Sequence, residues 1–467
     1  MFSESTSKQS KIELVIIDNI VPKDHLLRKI DEMIDFSFIN EICRPYYCAD
    51  NGRPAIEPKT LFKMLFIGYL FGIRSERRLV AEIAVNVAYR WFLGYGLSDK
   101  IPDVSVIWQN RVRRFNGTDV VQRIFDRIVS EALEQGLISG EVLYSDSTHL
   151  KANAAKTKYR SRTVPVSVSR YLDDLDEEVA QDRIRHGKQP FEAKREAGDG
   201  EPRTRTIKES TTDPDSGFMH RDRKPRGFFY LEHRTVDGAN TIVTDVFVTA
   251  GNVSDSVPYI ERLDRQIERF GLEVKAVGLD AGYNTTSVCR DLAGRGIEAA
   301  MGTRRGGHQK GRYGKHKFDY LPERDVYICP ERCYLTYATT ARDGVRRYRA
   351  SRGRCASCRR RGECLSAKQT VKTIERHIWE DHKDASRRFT LSEAGSAIYA
   401  RRKETIERSF ADAKELHGMR YARLRGRAKV QEQCLLTAAA QNIKKMATLL
   451  WRVGNGGSAG PRPAVAL

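Results

Sequence analysis

Glu141-Val-Leu-Tyr-Ser-Asp146 and Val274-Lys-Ala-Val-Gly-Leu-Asp280 decide the fold. Each is a short apolar run that ends on a carboxylate and passes into turn-like residues, YSDSTH in one case and LDAGYN in the other. Short apolar runs bounded by turn signals read as strands. Between them, Asp237-Gly238 is a hairpin signal that separates strand-like residues 228–235 from 241–249. Helices are expected over 257–270 and 287–295, and a short strand over 297–301. Strand, long excursion, hairpin, helix, strand, helix, strand is the order of an α/β fold with a mixed sheet.

Working outward, residues 1–140 read as helical. Pro58 suits the first turn of a helix whose apolar face includes Leu61, Phe62, Leu65, Ile67, Leu70 and Phe71. Further helices are expected over 75–92 behind a Ser75 cap, over 104–115 and over 120–134. The third ends in Arg111, Arg113 and Arg114, which suits either a helix-turn-helix-like reader of DNA or a plain packing domain. Residues 171–216 read as a charged insert without core material. Residues 303–372 form a basic, cysteine-rich insertion expected to lack regular structure. Core elements resume over 373–453, with helices from 392 and over 428–451, and 454–467 reads as a disordered tail.

The chain has 467 residues and a formal charge of +20. Residues 301–366 carry a net +11 and 395–467 a net +9, so these two segments supply all of it. Charge concentrated in this way marks a polyanion footprint more than a solvated surface. With 40% hydrophobic and 30% charged residues, the composition fits a globular chain of two or three domains and neither a disordered chain nor a membrane bundle. The most apolar stretch, 61–73, contains Lys63 and falls short of the ~20 residues of a spanning helix. No membrane partner and no signal peptide are expected. Nine cysteines are sparse and odd in number, which points to a reducing compartment.

Asp146 and Asp280 are expected to meet over one sheet edge, where sites form in α/β folds. Two like charges placed together need a cation between them. An oxygen-seeking divalent ion such as Mg²⁺ suits that place. Glu407, in RRKETIERSFADAK, is the third carboxylate of choice, with Glu404 one turn earlier as its rival. Singly, each aspartate is as readily a cap or turn residue. The pair together with the helix carries the reading. His149, three residues after Asp146, suits a DNA or metal contact as well as a bland place beside the strand.

These motifs resemble those of bacterial insertion-sequence DDE transposases with an RNase H-like core. Asp146 in YSDSTHLKANA matches the family's first-strand aspartate, and Asp280 in LDAGYNT the second. Tyr399, Glu407 and Lys414 fit the Tyr-Arg-Glu-Lys signature of the late helix, with the family's spacing of seven from Glu to Lys. Arg402 departs from it. It lies five residues before Glu407 where the pattern has four, and Lys403 occupies that place. GIRSERRL and IPDVSVIWQNRVRRF resemble the helical domain that precedes the core in a subgroup of the family.

The resemblance implies a DNA transposase with two Mg²⁺ ions, or Mn²⁺, held by a bridging Asp146 with Asp280 and Glu407 on either side. Water would free a 3′-OH at the element end, and that 3′-OH would attack target DNA. Lys414 would contact a phosphate near the cleavage point, and Tyr399 would position the terminal nucleotides. Arg402 is placed among the DNA contacts. The expected partners are double-stranded DNA, as terminal inverted repeats and as target, and a second copy of the chain in the DNA complex. The expected setting is the bacterial cytoplasm at the nucleoid. The rival readings are an RNase H-like nuclease without strand transfer and a catalytically inactive zinc-finger DNA-binding protein.

Cys355-x2-Cys358-x5-Cys364 has knuckle-like spacing, with Cys329-x3-Cys333 upstream. Four of these five suit one structural Zn²⁺, against the alternative of free thiols. Arg359, Arg360 and Arg361 make the segment a basic finger suited to phosphate contact.

Overall fold

The structure is a computed structural model that describes residues 14–48, 55–165, 171–192, 204–220, 226–303 and 311–455. The N-terminal region is helical, as the apolar spacing predicts. Its helices include Leu26–Met33, Pro58–Leu70, Glu76–Val85, Val87–Leu93, Val104–Asn110 and Val120–Glu134. The single helix expected over 75–92 is two. Asn86 is extended (φ −94°, ψ 115°) and its side chain accepts from the Tyr89 amide at 3.1 Å, so one residue stops the first helix and caps the second.

Strand β1, Val142–Lys151, then enters the main sheet. The excursion after it is not devoid of structure. Strands β2 (Tyr159–Pro165) and β3 (Thr204–Ser210) pair as a ribbon, with a helix, Tyr171–Arg185, between them. That helix has a small core of its own, in which Leu175 and Val179 pack with Trp379. The main sheet continues with β4 (Gly217–Met219), β5 (Gly227–Asp237), β6 (Val243–Ala250), β7 (Ala276–Leu279) and β8 (Glu298–Met301). The strand order is β4-β5-β1-β7-β8, with β6 also paired to β5. The β6-β5-β1 half is antiparallel and the β1-β7-β8 half parallel. This is the mixed α/β sheet read from the sequence.

The cysteine-rich segment departs from expectation. It folds as a five-stranded antiparallel sheet made of β9 (Asp319–Leu321), β10 (Val326–Ile328), β11 (Tyr334–Thr340), β12 (Val345–Ala350) and β13 (Thr373–His377). Phe318, Tyr327, Leu335, Tyr348 and Ile374 form its core. Arginines between these residues hide the period-2 signal, and one of them serves packing. Arg346 reaches back to Asp182 on the excursion helix, a carboxylate 2% exposed that also accepts from Thr340 at 2.6 Å.

Helices Glu380–Leu391, Glu393–Arg401 and Arg408–Glu415 follow, and the chain closes with the long helix Arg427–Gly454. The first of these begins earlier than the sequence suggested. The last is buried over much of its length and packs against β6 and the N-terminal helices. One hydrophobic core thus runs through the helical region, the main sheet and the final helix. At the seam, Gly72 has φ +65°, and a β-carbon there would lie 2.7 Å from the Leu416 carbonyl oxygen, so glycine is needed twice over. Among the described residues, no helix is long and apolar enough to cross a membrane.

Candidate active site

Strands β1 and β7 run parallel, and their last paired residues are Ser145 and Leu279. The next residue on each is an aspartate, so Asp146 and Asp280 stand side by side where the strands part. Asp146 does not end its strand. β1 continues to Lys151 because β5 goes on pairing with it after β7 has stopped. Asp146 accepts from the Ser147 amide at 2.8 Å and from Arg402 Nη2 at 2.8 Å. Burial pushes its carboxyl up to about 6, against the pull of the Arg402 charge and with help from the neighbouring charge of Asp280. Asp280 is more open, with a side chain 50% exposed, and stands 3.9 Å from Arg402 Nη1. Arg402 itself is only 6% exposed. The sequence asked for a cation between the two aspartates, and the fold places this guanidinium there.

The backbone explains how Arg402 reaches that place. Residues Lys403–Glu407 form a π-turn, in which the Glu407 amide donates to the Arg402 carbonyl at 3.1 Å. A π-turn holds one more residue than an α-turn. The five-residue step from Arg402 to Glu407 therefore stacks the two as a four-residue step would in an α-helix. The departure in arginine spacing is one inserted residue, absorbed locally. Lys414, seven residues on, donates to Thr148 Oγ1 at 2.6 Å. Thr148 is two residues from Asp146 and on the same face of β1. Burial lowers the Lys414 pKa. The Tyr399 ring lies 5.5 Å from the Arg402 guanidinium. A β-carbon on Gly302 would meet the Tyr399 hydroxyl at 2.7 Å and the Ala281 amide nitrogen at 3.0 Å, so Tyr399 packs over the turn that carries Asp280.

Glu407 is exposed, on the turn between Arg402 and Lys414. Its rival Glu404 lines a different cleft of about 480 Å³, shared with Arg401, Lys444 and Lys445. Among the described residues, no three His, Cys, Asp or Glu side chains are gathered to hold a metal ion. Of the expected triad, Asp146 and Asp280 stand as a pair bridged by Arg402, while Glu407 stands exposed on the π-turn and is not gathered with them. Two oxygen-donor carboxylates side by side, one of them buried, suit a hard divalent cation.

Two protein-family models match the chain. One describes a transposase domain (DUF772) and matches residues 15–113. The other describes a transposase DDE domain and matches residues 328–447. Together the two matches support an insertion-sequence DDE transposase. No curated protein matches it. The second match spans β11 to β13 of the cysteine-rich sheet, Glu407 and Lys414, while Asp146 and Asp280 lie between the two matched segments.

Asp255 and Arg234, beside the two aspartates, escaped the sequence reading. Asp255 accepts from Ser147 Oγ at 2.7 Å, and its charge adds to the upward push on Asp146. Only its place after a predicted strand was visible in the sequence. Arg234 lies opposite Asp146 in the β1–β5 register and is fully buried. It pairs with Glu232 at 2.6 Å and donates to Ser409 Oγ at 2.8 Å and Gln441 Oε1 at 2.7 Å, tying β5 to the helices that follow Glu407. An ion pair at positions i and i+2 of one strand gives no sequence signal of burial. His149 packs edge-on to Phe229, with ring centroids 6.1 Å apart.

The arginine runs divide. Arg111, expected as a DNA reader, is 16% exposed, paired with Glu76 and 3.9 Å from Glu432 on the final helix. It pins the helical region to that helix, because two half-buried carboxylates compete with solvent for its charge. Arg114 stacks over Tyr47 and donates to Asn110 Oδ1 at 2.6 Å, while Arg113 is exposed. Arg360 is held by Glu331 at 2.9 Å and by the Tyr313 hydroxyl at 2.7 Å. Arg361 bonds the Cys355 and Gln369 carbonyls, and Arg359 is exposed. The zinc centre expected from Cys329, Cys333, Cys355, Cys358 and Cys364 finds no support. The thiols share a neighbourhood and act on one another, but no three of them are drawn together as metal ligands, and the apolar core of the small sheet holds this region.

Proposed function

We propose that this transposase cleaves and joins DNA strands at the ends of its own insertion sequence, with an RNase H-like core that presents Asp146, Asp280 and Glu407. The observation that carries the reading is the side-by-side placement of Asp146 and Asp280 where β1 and β7 part, faced by Arg402. An antiparallel half and a parallel half meeting at β1 support the RNase H-like assignment. Lys414 and Tyr399 on the flanking helices support the family's late-helix signature.

Asp146 and Asp280 would hold Mg²⁺ or Mn²⁺, with Glu407 as the third carboxylate. Such a cation supplies activation of the attacking oxygen and stabilisation of the leaving one. The chain's own groups do the rest. Arg402 holds the carboxylates apart and in register. Lys414, fixed against Thr148 beside Asp146, places a cation along the path of a bound strand. Tyr399 covers the turn of Asp280 and offers an aromatic face to a terminal nucleotide. Exposed Arg113 and Arg359 are suited to phosphate contacts, on a homodimer that pairs two element ends.

Incubation with Mg²⁺, a labelled duplex of the flanking repeats and a target duplex tests the proposal. Joined products are expected. Cutting without joining would make the chain a nuclease, and binding without cutting would make it a DNA-binding protein with an inactive core.

A further inference from the structure

A cleft of about 550 Å³ opens between the N-terminal helices and the loop that follows Lys414. Five of its lining residues are cations, namely Arg111 and four others, Arg74, Arg77, Arg423 and Lys429. Its two carboxylates, Glu76 and Glu432, are already engaged by Arg111. Among the described residues, none of the four cations has a carboxylate partner within 4 Å. Arg423 is the most exceptional. Nε and Nη2 of its guanidinium are closed off from solvent and lack a hydrogen-bond partner, and its plane lies 4.6 Å from the Tyr69 ring centroid. A guanidinium with two unsatisfied donors at the wall of a basic cleft is an incomplete arrangement, and a shift of the side chain into the cleft lets an anion complete it. Beside it, Trp108 lines the cleft with its side chain 55% exposed, an aromatic face at the mouth.

The cleft is joined to the candidate active site through one strand. The Ala422 amide donates to the Lys151 carbonyl at 2.9 Å, and Arg425 Nε to the Asn153 carbonyl at 3.0 Å. The loop carrying Arg423 therefore runs along the end of β1, five residues beyond Asp146. That separation is roughly 17 Å of extended strand. A duplex rises ~3.4 Å per base pair along its axis, so this span matches about five base pairs.

We infer that this cleft is a phosphate subsite for the DNA strand under cleavage. Arg423 takes one backbone phosphate about five base pairs along the duplex from the scissile one, with Arg74, Arg77 and Lys429 around it. The inference rests on the DNA-cleaving reading above and adds a defined phosphate to it.

The test uses the full chain and end duplexes that each carry a single uncharged methylphosphonate, moved stepwise from the cleaved bond. In the unsubstituted protein, one position about five base pairs away is expected to weaken binding about tenfold. Arg423→Gln should weaken binding to the all-phosphate duplex to a similar degree and flatten the salt slope by about 0.9. It should lose nothing more at that one position while keeping the penalties elsewhere. Arg423→Lys should recover part of the affinity, and an unchanged melting temperature excludes misfolding. If the effects multiply at every position while the unsubstituted protein still cuts the end, the cleft is not a phosphate site and the transposase reading stands. If the unsubstituted protein neither binds nor cuts the end, both readings fall.

Discussion

Arg402 donates to Asp146 at 2.8 Å and stands 3.9 Å from Asp280, so one nearly buried guanidinium bridges the two aspartates. Removing it leaves Asp146 with an uncompensated charge. Arg402→Gln should therefore cost about 3 kcal/mol at pH 7, the scale of breaking a buried pair from one side. The loss should shrink at pH 5, where Asp146 becomes protonated. Urea denaturation at the two pH values checks this. An equal loss at both would show that Arg402 acts through packing rather than charge.

The raised Asp146 pKa has its own signature. The folded protein holds this proton more tightly than the unfolded chain, with the pKa raised from an ordinary 3.8 to about 6. Ionising it thus costs stability as the pH rises through that window, by up to about 3 kcal/mol. Asp146→Asn should lack that decline, so its stability relative to the unsubstituted protein should rise from pH 4 to pH 6. A divalent cation competes with the same proton, so Mg²⁺ should raise the melting temperature more at pH 7.5 than at pH 5. A Mg²⁺ effect that does not change with pH would argue against Asp146 as a ligand.

Asp146→Ala, Asp280→Ala and Glu407→Ala should each abolish Mg²⁺-dependent cleavage and leave DNA binding largely intact. Glu404→Ala should cut normally, since Glu404 lines the cleft of Arg401 and Lys445. Cleavage assays with gel-shift controls decide. Loss of cutting in Glu404→Ala with retention in Glu407→Ala would move the third carboxylate by one turn.

The π-turn predicts the effect of changing its length. Deleting the exposed Lys403 should convert Lys403–Glu407 to an ordinary α-turn and keep Arg402 and Glu407 on one face. Cleavage should survive within about tenfold. Inserting an alanine after Lys403 has no such refuge and should abolish cutting. The reverse pattern would mean that the extra residue is itself required.

The small sheet has an apolar core, so its stability should not depend on metal. Thermal melts with and without a chelator should coincide. A chelator-dependent loss of this region, together with bound zinc by metal analysis, would restore the cysteine knuckle.

The sequence by itself determined the helical N-terminal region, the mixed sheet and the strands that carry Asp146 and Asp280, because apolar periodicity and turn residues are local signals. Helix over the late stretch that carries Tyr399, Glu407 and Lys414 was legible too, while the grouping of those three residues came from the family resemblance. Only the tertiary structure decided the roles of the charges. Arg402 bridges the aspartates, Arg111 pins a seam, Arg234 is buried, and Asp255 joins the site through Ser147. The second sheet belongs there too, since its strands alternate core residues with arginines whose partners lie far away in the chain. The reason is common to all of these. A charged side chain reads as solvent-exposed until long-range packing brings it a partner of opposite charge, and that pairing leaves no periodic trace in the sequence.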